Sequence, residues 1–141
     1  MKRRSLVVIV ALTVALVVAA CQTGGSSASG LDGTWQWTSS TEASPPSQAV
    51  TPDPENYTIT FASDGTFSGK ADCNQIAGTY VVDGSDLTIT VGPSTLAFCG
   101  EVSLDALYLD YLGRVATYAI SGSELTATFA GDTGTMTFTK A

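Results

Sequence analysis

Apolar and polar positions alternate through most of the chain from Tyr57 onward. Tyr57, Ile59 and Phe61 share one parity and Thr58 and Thr60 the other, the pattern of a strand with one face in a core. Ser63-Asp64-Gly65 reads as a turn, and Thr66 to Ala71 returns with Phe67 inward, so this segment predicts a β-hairpin. Thr79 to Val82 leads to a turn at Asp83-Gly84-Ser85-Asp86, after which Leu87, Ile89 and Val91 alternate with Thr88 and Thr90. The same period returns in Ala116, Tyr118 and Ile120, in Leu125, Ala127 and Phe129, and in Met136 and Phe138. Turns fall between these runs at Ser121-Gly122-Ser123 and at Gly131 to Gly134.

One segment departs from period two. Leu104, Leu107, Tyr108 and Tyr111 recur at helical spacing, which predicts one helix over Ser103–Leu112. Ser103 suits its N-cap, Asp105 its positive end and Gly113 its stop. Before the alternating region, Trp35 and Trp37 lie two apart and share one face of a strand. They are either core residues or a stacking platform for a ligand. The whole pattern predicts a mainly β protein: a small antiparallel, barrel-like (lipocalin-like) domain of about seven or eight strands with one short helix. Closure into a barrel leaves few unprotected strand edges.

Between these elements, Ser39 to Glu55 is polar and carries Pro45, Pro46, Pro52 and Pro54. Proline removes a backbone donor, so the segment predicts a long loop, either a tolerated insertion or a lid.

Residues 1–20 have a separate character. Lys2, Arg3 and Arg4 precede an apolar run from Leu6 to Val18, and Val18-Ala19-Ala20 stands directly before Cys21. This is the layout of a secretory signal ending in a bacterial lipobox, where Cys21 is acylated and becomes the mature N-terminus. The alternative, an uncleaved anchor, needs a longer run, roughly 18–20 residues. Gln22 to Gly30 is rich in Gly and Ser and reads as a tether, which leaves 31–141 as the folded domain.

Charge then narrows the partners. Without Lys2, Arg3 and Arg4, only Lys70, Arg114 and Lys140 oppose 13 acidic residues, so the mature chain carries −10. Such a surface repels phosphate, which excludes nucleic acid as a partner and excludes docking on anionic lipid by charge. The membrane contact expected here is the lipid on Cys21.

The chemistry available is limited. The chain has no histidine, which removes Ser-His-Asp and Cys-His catalysis and the commonest metal ligand. It has no P-loop, dinucleotide fingerprint or EF-hand spacing, so no cofactor or metal is expected. With Cys21 lipidated, Cys73 and Cys99 remain, either as a disulfide in an oxidising compartment or as two buried thiols. If bonded, they bring Asp72 and Glu101 to one locus, as an acid/base pair or as solvated turn residues. Asp53 and Glu55 are too few for a calcium site. Asn74 and Gln75 are expected to satisfy turn backbone.

Several segments together resemble a known family: Trp35, F-A-S-D-G-T-F-S-G at Phe61 to Gly69, and C-N at Cys73-Asn74 with G-T-Y at Gly78 to Tyr80. T-L-A-F-C at Thr95 to Cys99 and Y-L-D-Y-L at Tyr108 to Leu112 complete the set. The combination, spanning Leu31 to Phe138, resembles the META domain of the heat-shock protein HslJ and of many bacterial envelope lipoproteins. The family's usual Gly-Cys-Asn is Asp72-Cys73-Asn74 in this chain. The resemblance implies a compact antiparallel barrel-like domain with one helix and no enzyme activity, in a family linked to heat shock, novobiocin resistance, secretion or motility.

The leading expectation is therefore a lipid-anchored, extracytoplasmic META-domain protein serving as a non-catalytic binding or envelope-maintenance module. A second is a lipocalin-like carrier of a small apolar ligand lined by Trp35 or Trp37. A third is an envelope proteinase inhibitor presenting the Ser39–Glu55 segment.

Overall fold

The computed structural model describes residues 30–141. The leader, Cys21 and most of the tether lie outside the described residues. Nine strands and one helix follow in order: β1 (Gly33–Ala43), β2 (Pro46–Val50), β3 (Tyr57–Phe61), β4 (Thr66–Ala71), β5 (Asn74–Asp83), β6 (Asp86–Ser94), α1 (Asp105–Arg114), β7 (Val115–Ser121), β8 (Glu124–Phe129) and β9 (Gly134–Lys140). The sheet order is β2-β1-β3-β4-β5-β6-β7-β8-β9, every pairing antiparallel, and β1 also pairs with β9. The first and last strands of the ring thus meet, and the sheet closes on itself.

Closure is uneven. β6 and β7 share the single pair Asp86↔Thr117, whereas β7 and β8 pair from Val115 to Ser121. The helix packs against β6 where that pairing lapses. Its Tyr108, Tyr111 and Leu112 are buried, as the helical spacing implied for the two tyrosines. Tyr108 stacks on Trp37 at 5.3 Å, and Tyr57 and Tyr111 meet the same indole edge-on at 5.7 and 6.1 Å. Helix and sheet therefore share one aromatic core, and buried aromatic rings contribute heavily to the stability of a small domain. Most alternating positions behave as the pattern demands: Ile59, Phe61, Phe67, Leu87, Ile89, Leu125, Ala127, Phe129, Met136 and Phe138 are buried. Val91 is only half-buried, and so is the β7 run Ala116, Tyr118 and Ile120, where the ladder is irregular between Val115 and Thr117.

The Ser39–Glu55 segment departs from expectation: it is not a loop. β1 continues through it to Ala43, and Pro46–Val50 turns back to pair with Ser39–Ala43. The prolines tolerate this because of where they fall. Pro45 sits in the turn, Pro46 begins a strand at the edge of the sheet order, and Pro52 and Pro54 lie beyond its end. At the start of an edge strand a missing N–H costs no central ladder bond. The hairpin brings the strand count to nine, one above the expected range.

The helix is also displaced by two residues. Its N-cap is Leu104, and the Ser103 hydroxyl accepts from Asp105 N–H at 3.2 Å. Gly113 does not stop it. Arg114 stays helical, bonding Glu42 at 2.8 Å and approaching Asp110 one turn back at 3.5 Å, and Val115 enters β7 directly.

Candidate functional site

Strand direction sorts the turns into two ends. Gly30–Asp32, the 62–65 turn and the 121–124 turn lie at one end, since Gly33 pairs with Phe61, Trp35 with Lys140, and Glu124 with Thr139. The two-residue turn Asp72-Cys73, the 95–104 loop and the start of α1 lie at the other.

At this second end the loop after β6 is held in several places. Cys73 and Cys99 form a disulfide with a Cα–Cα separation of 5.5 Å. The pairing is as expected, although Cys73 is exposed and Cys99 half-buried, so the sulfurs staple a surface loop and do not fill a core. Asp72, at the first turn position, has φ of 58°, the left-handed region that favours glycine and that Asp tolerates better than most. The family's glycine at that position therefore has a backbone reason, and Asp substitutes for it.

Asn74 is buried and bonds the loop through both ends of its carboxamide. Its Oδ1 accepts from Ala97 N–H at 2.8 Å and from the Thr95 hydroxyl at 2.9 Å. Its Nδ2 donates to the Ala97 carbonyl at 3.0 Å and to Asp105 Oδ2 at 3.2 Å. The expectation for Asn74 is satisfaction of its own turn; its side chain instead bonds the distant loop at Thr95–Cys99 and Asp105. The main chain of Gln75 adds a reciprocal pair: its N–H donates to Thr95 Oγ1 at 2.9 Å, and its carbonyl accepts from Thr95 N–H at 3.1 Å. Farther along, the Tyr57 hydroxyl accepts from Leu104 N–H at 2.9 Å and donates to Asp72 Oδ2 at 3.3 Å. The loop is thereby tied to β3, to the turn and to α1.

What this scaffold displays is apolar. Leu96, Phe98 and Val102 are 91%, 84% and 91% exposed. Single exposed apolar residues are ordinary, but three such large side chains exposed on one cross-linked loop are unusual, and exposed apolar surface of this kind marks interaction sites. Periodicity could not find it, because the loop has none; the signal was the apolar content of T-L-A-F-C beside a cysteine.

The remaining candidates are placed as follows. Trp35 and Trp37 are fully buried, and their indole N–H groups donate to the carbonyls of Leu31 at 2.7 Å and Ser39 at 2.8 Å. Both therefore belong to the packed core, and among the described residues no pocket opens beside them. Asp72 bonds Tyr57, while Glu101 is exposed and makes no hydrogen bond to Asp72 among the described residues. The described residues hold no cluster of three carboxylate or cysteine donors able to bind a metal. No helix of the described residues is long and apolar enough to cross a membrane.

A closed antiparallel sheet with one helix packed at its weakest seam, and a cysteine-stapled loop at one end, defines a small mainly β domain. The META domain family matches residues 29–141, and the chain belongs to that family. A search of curated protein sequences found no match. Among solved structures, the fold is similar to a crystal structure of a DUF4847 family protein from Bacteroides vulgatus, at 17% identity and a TM-score of 0.60, covering 77% of this chain and 92% of the other. It is also similar to an NMR structure of a protein from Burkholderia xenovorans, at 19% identity and a TM-score of 0.64, covering 78% and 82%. At these identities the likeness is one of fold alone.

Proposed function

We propose that this META-domain protein is a non-catalytic binding module of the bacterial cell envelope, anchored by a lipid on Cys21 and facing the extracytoplasmic side. The observation that carries the binding role is the exposure of Leu96, Phe98 and Val102 on a loop whose conformation is imposed by Cys73–Cys99, Asn74 and Tyr57. Leaving apolar side chains in water is unfavourable, and holding them there by cross-links preorganises them for a partner. The anchor is supported by the basic n-region, the apolar run and the small residues before Cys21. An exported location suits the disulfide, and the missing histidine suits a role without acid–base chemistry.

Two experiments in the source bacterium test this reading. Labelled palmitate should enter the wild-type chain and not Cys21→Ala. A strain lacking the protein should be rescued from envelope stress by the wild type and not by the double variant Leu96→Ser, Phe98→Ser, whose unchanged melting temperature shows that it folds. Unlabelled wild type would remove the anchor, and full rescue by the double variant would remove the binding role.

A further inference from the structure

We infer that the tip formed by Leu96, Phe98 and Val102 docks into an apolar groove of another envelope protein, and that the rim of that groove carries Lys or Arg. The inference rests on the binding-module reading and names the partner's surface. Leu96, Phe98 and Val102 stand at 84–91% exposure, so a partner that covers them must surround each side chain, as a concave surface does. An aromatic at the centre of a small apolar cluster is the usual anchor of a protein interface, and polar groups form the usual rim.

Charge selects among the surfaces that could cover it. From Ala71 to Gly113 the chain contains no Lys or Arg and six acidic residues, of which Asp83 and Asp86 lie in the turn at the opposite end. Asp72 adjoins Cys73, Glu101 lies within the loop, and Asp105 bonds Asn74 beneath it. Asp53 and Glu55 belong to the segment whose Asn56 carbonyl accepts from Asp72 N–H at 2.7 Å. Two cations lie at this end: Lys70, which donates to Asn56 Oδ1 at 2.9 Å, and Arg114. Arg114 sits at the far end of α1, engaged by Glu42 and Asp110. The apolar tip therefore rises from a negative collar. Anionic lipid headgroups would be repelled by it, and so would the identical tip of a second copy; a basic rim would be attracted. Topology agrees. The described chain begins at Gly30, at the end of the sheet opposite the tip, so a lipid on Cys21 anchors the far end.

Site-specific photo-crosslinking of the full-length protein in the source bacterium tests this. A benzoylphenylalanine is placed at Phe98, and in a control at Gly122 on the opposite end. Irradiation should give a discrete protein adduct from position 98 and none of that mass from position 122. Glu101→Lys should lower the adduct yield about fivefold or more, through like-charge contact with the rim. Glu124→Lys, at the opposite end, should leave the yield unchanged. An adduct to lipid, an adduct of twice this chain's mass, equal yields at both positions, or no adduct would each overturn the inference. So would a yield unchanged or raised by Glu101→Lys. Those failures are distinct from failure of the module reading, which is decided by whether Leu96→Ser, Phe98→Ser still rescues the deletion strain.

Discussion

The Asn74 side chain grips Ala97 by both of its main-chain groups: Oδ1 accepts from Ala97 N–H at 2.8 Å, and Nδ2 donates to Ala97 C=O at 3.0 Å. Two segments 23 residues apart are thereby joined as two strands would be, by one side chain. Removing it should loosen the loop. Asn74→Ala should lower stability by about 1–3 kcal/mol in urea unfolding, the usual cost of a lost buried hydrogen-bonding group. Asn74→Asp should cost more at neutral pH than at pH 4, because a carboxylate would face Ala97 C=O and Asp105. Equal stability of both variants and wild type would refute the clamp.

The Cys73–Cys99 bridge spans 26 residues, and in the chain-entropy model its removal costs about 3–4 kcal/mol. Cys73→Ser, Cys99→Ser should show that loss by urea unfolding. Added reductant should bring the wild type to the same midpoint and leave the double variant where it is.

The Tyr108 hydroxyl is buried without a hydrogen-bond partner among the described residues, and burial raises its ionisation far above the ordinary phenol range. Its ring is stacked on Trp37 and would remain so in phenylalanine. Tyr108→Phe should therefore be neutral or stabilising by about 1 kcal/mol, since an unsatisfied polar group leaves the core. A clear drop in melting temperature would show that the hydroxyl is satisfied.

Two glycines should respond oppositely to alanine. A methyl at Gly78 would run into the Thr90 carbonyl and lie 2.6 Å from the Phe67 ring, so Gly78→Ala should destabilise by about 1–3 kcal/mol. A methyl on Gly113, inside the exposed face of α1, meets nothing within 4 Å. Gly113→Ala should stabilise by about 0.5–1 kcal/mol through helix propensity. Paired thermal melts decide both.

Acid should weaken the fold through two carboxylates. The Arg114 guanidinium holds the Glu42 carboxyl below its usual range, and the Thr66 hydroxyl and N–H do the same for Asp64. Groups with lowered folded-state values contribute stability above their unfolded values, near pH 4, and lose it as pH falls through the folded ones. Urea midpoints should thus fall from about pH 4 downward. Glu42→Gln should flatten that slope while reducing stability at neutral pH.

Much of the fold was legible because period two survives in a closed sheet. The β3–β4 hairpin was readable from Tyr57, Ile59, Phe61 and Phe67, whose parity decides which face is buried. The helix was readable from Tyr108 and Tyr111, but its ends were not. Gly113 is passed over because Arg114 gains Glu42, a partner 72 residues away that no local rule contains. The Ser39–Ala43 stretch was misread because its strand character comes from neighbours on both sides, β9 and β2. The four prolines between Ala43 and Glu55 sit where they interrupt no central ladder.

By itself, the order of residues determined an alternating, closed-sheet architecture, the pair of cysteines able to join, and a chemistry without histidine. These follow from local periodicity and composition, which do not depend on distant contacts. Only the tertiary structure decided that Trp35 and Trp37 are core, that Asn74 clamps Ala97, and that Leu96, Phe98 and Val102 stand in solvent. Burial and exposure of a given apolar residue depend on what the rest of the chain brings beside it, and around that loop the described residues bring a staple beneath and no cover above.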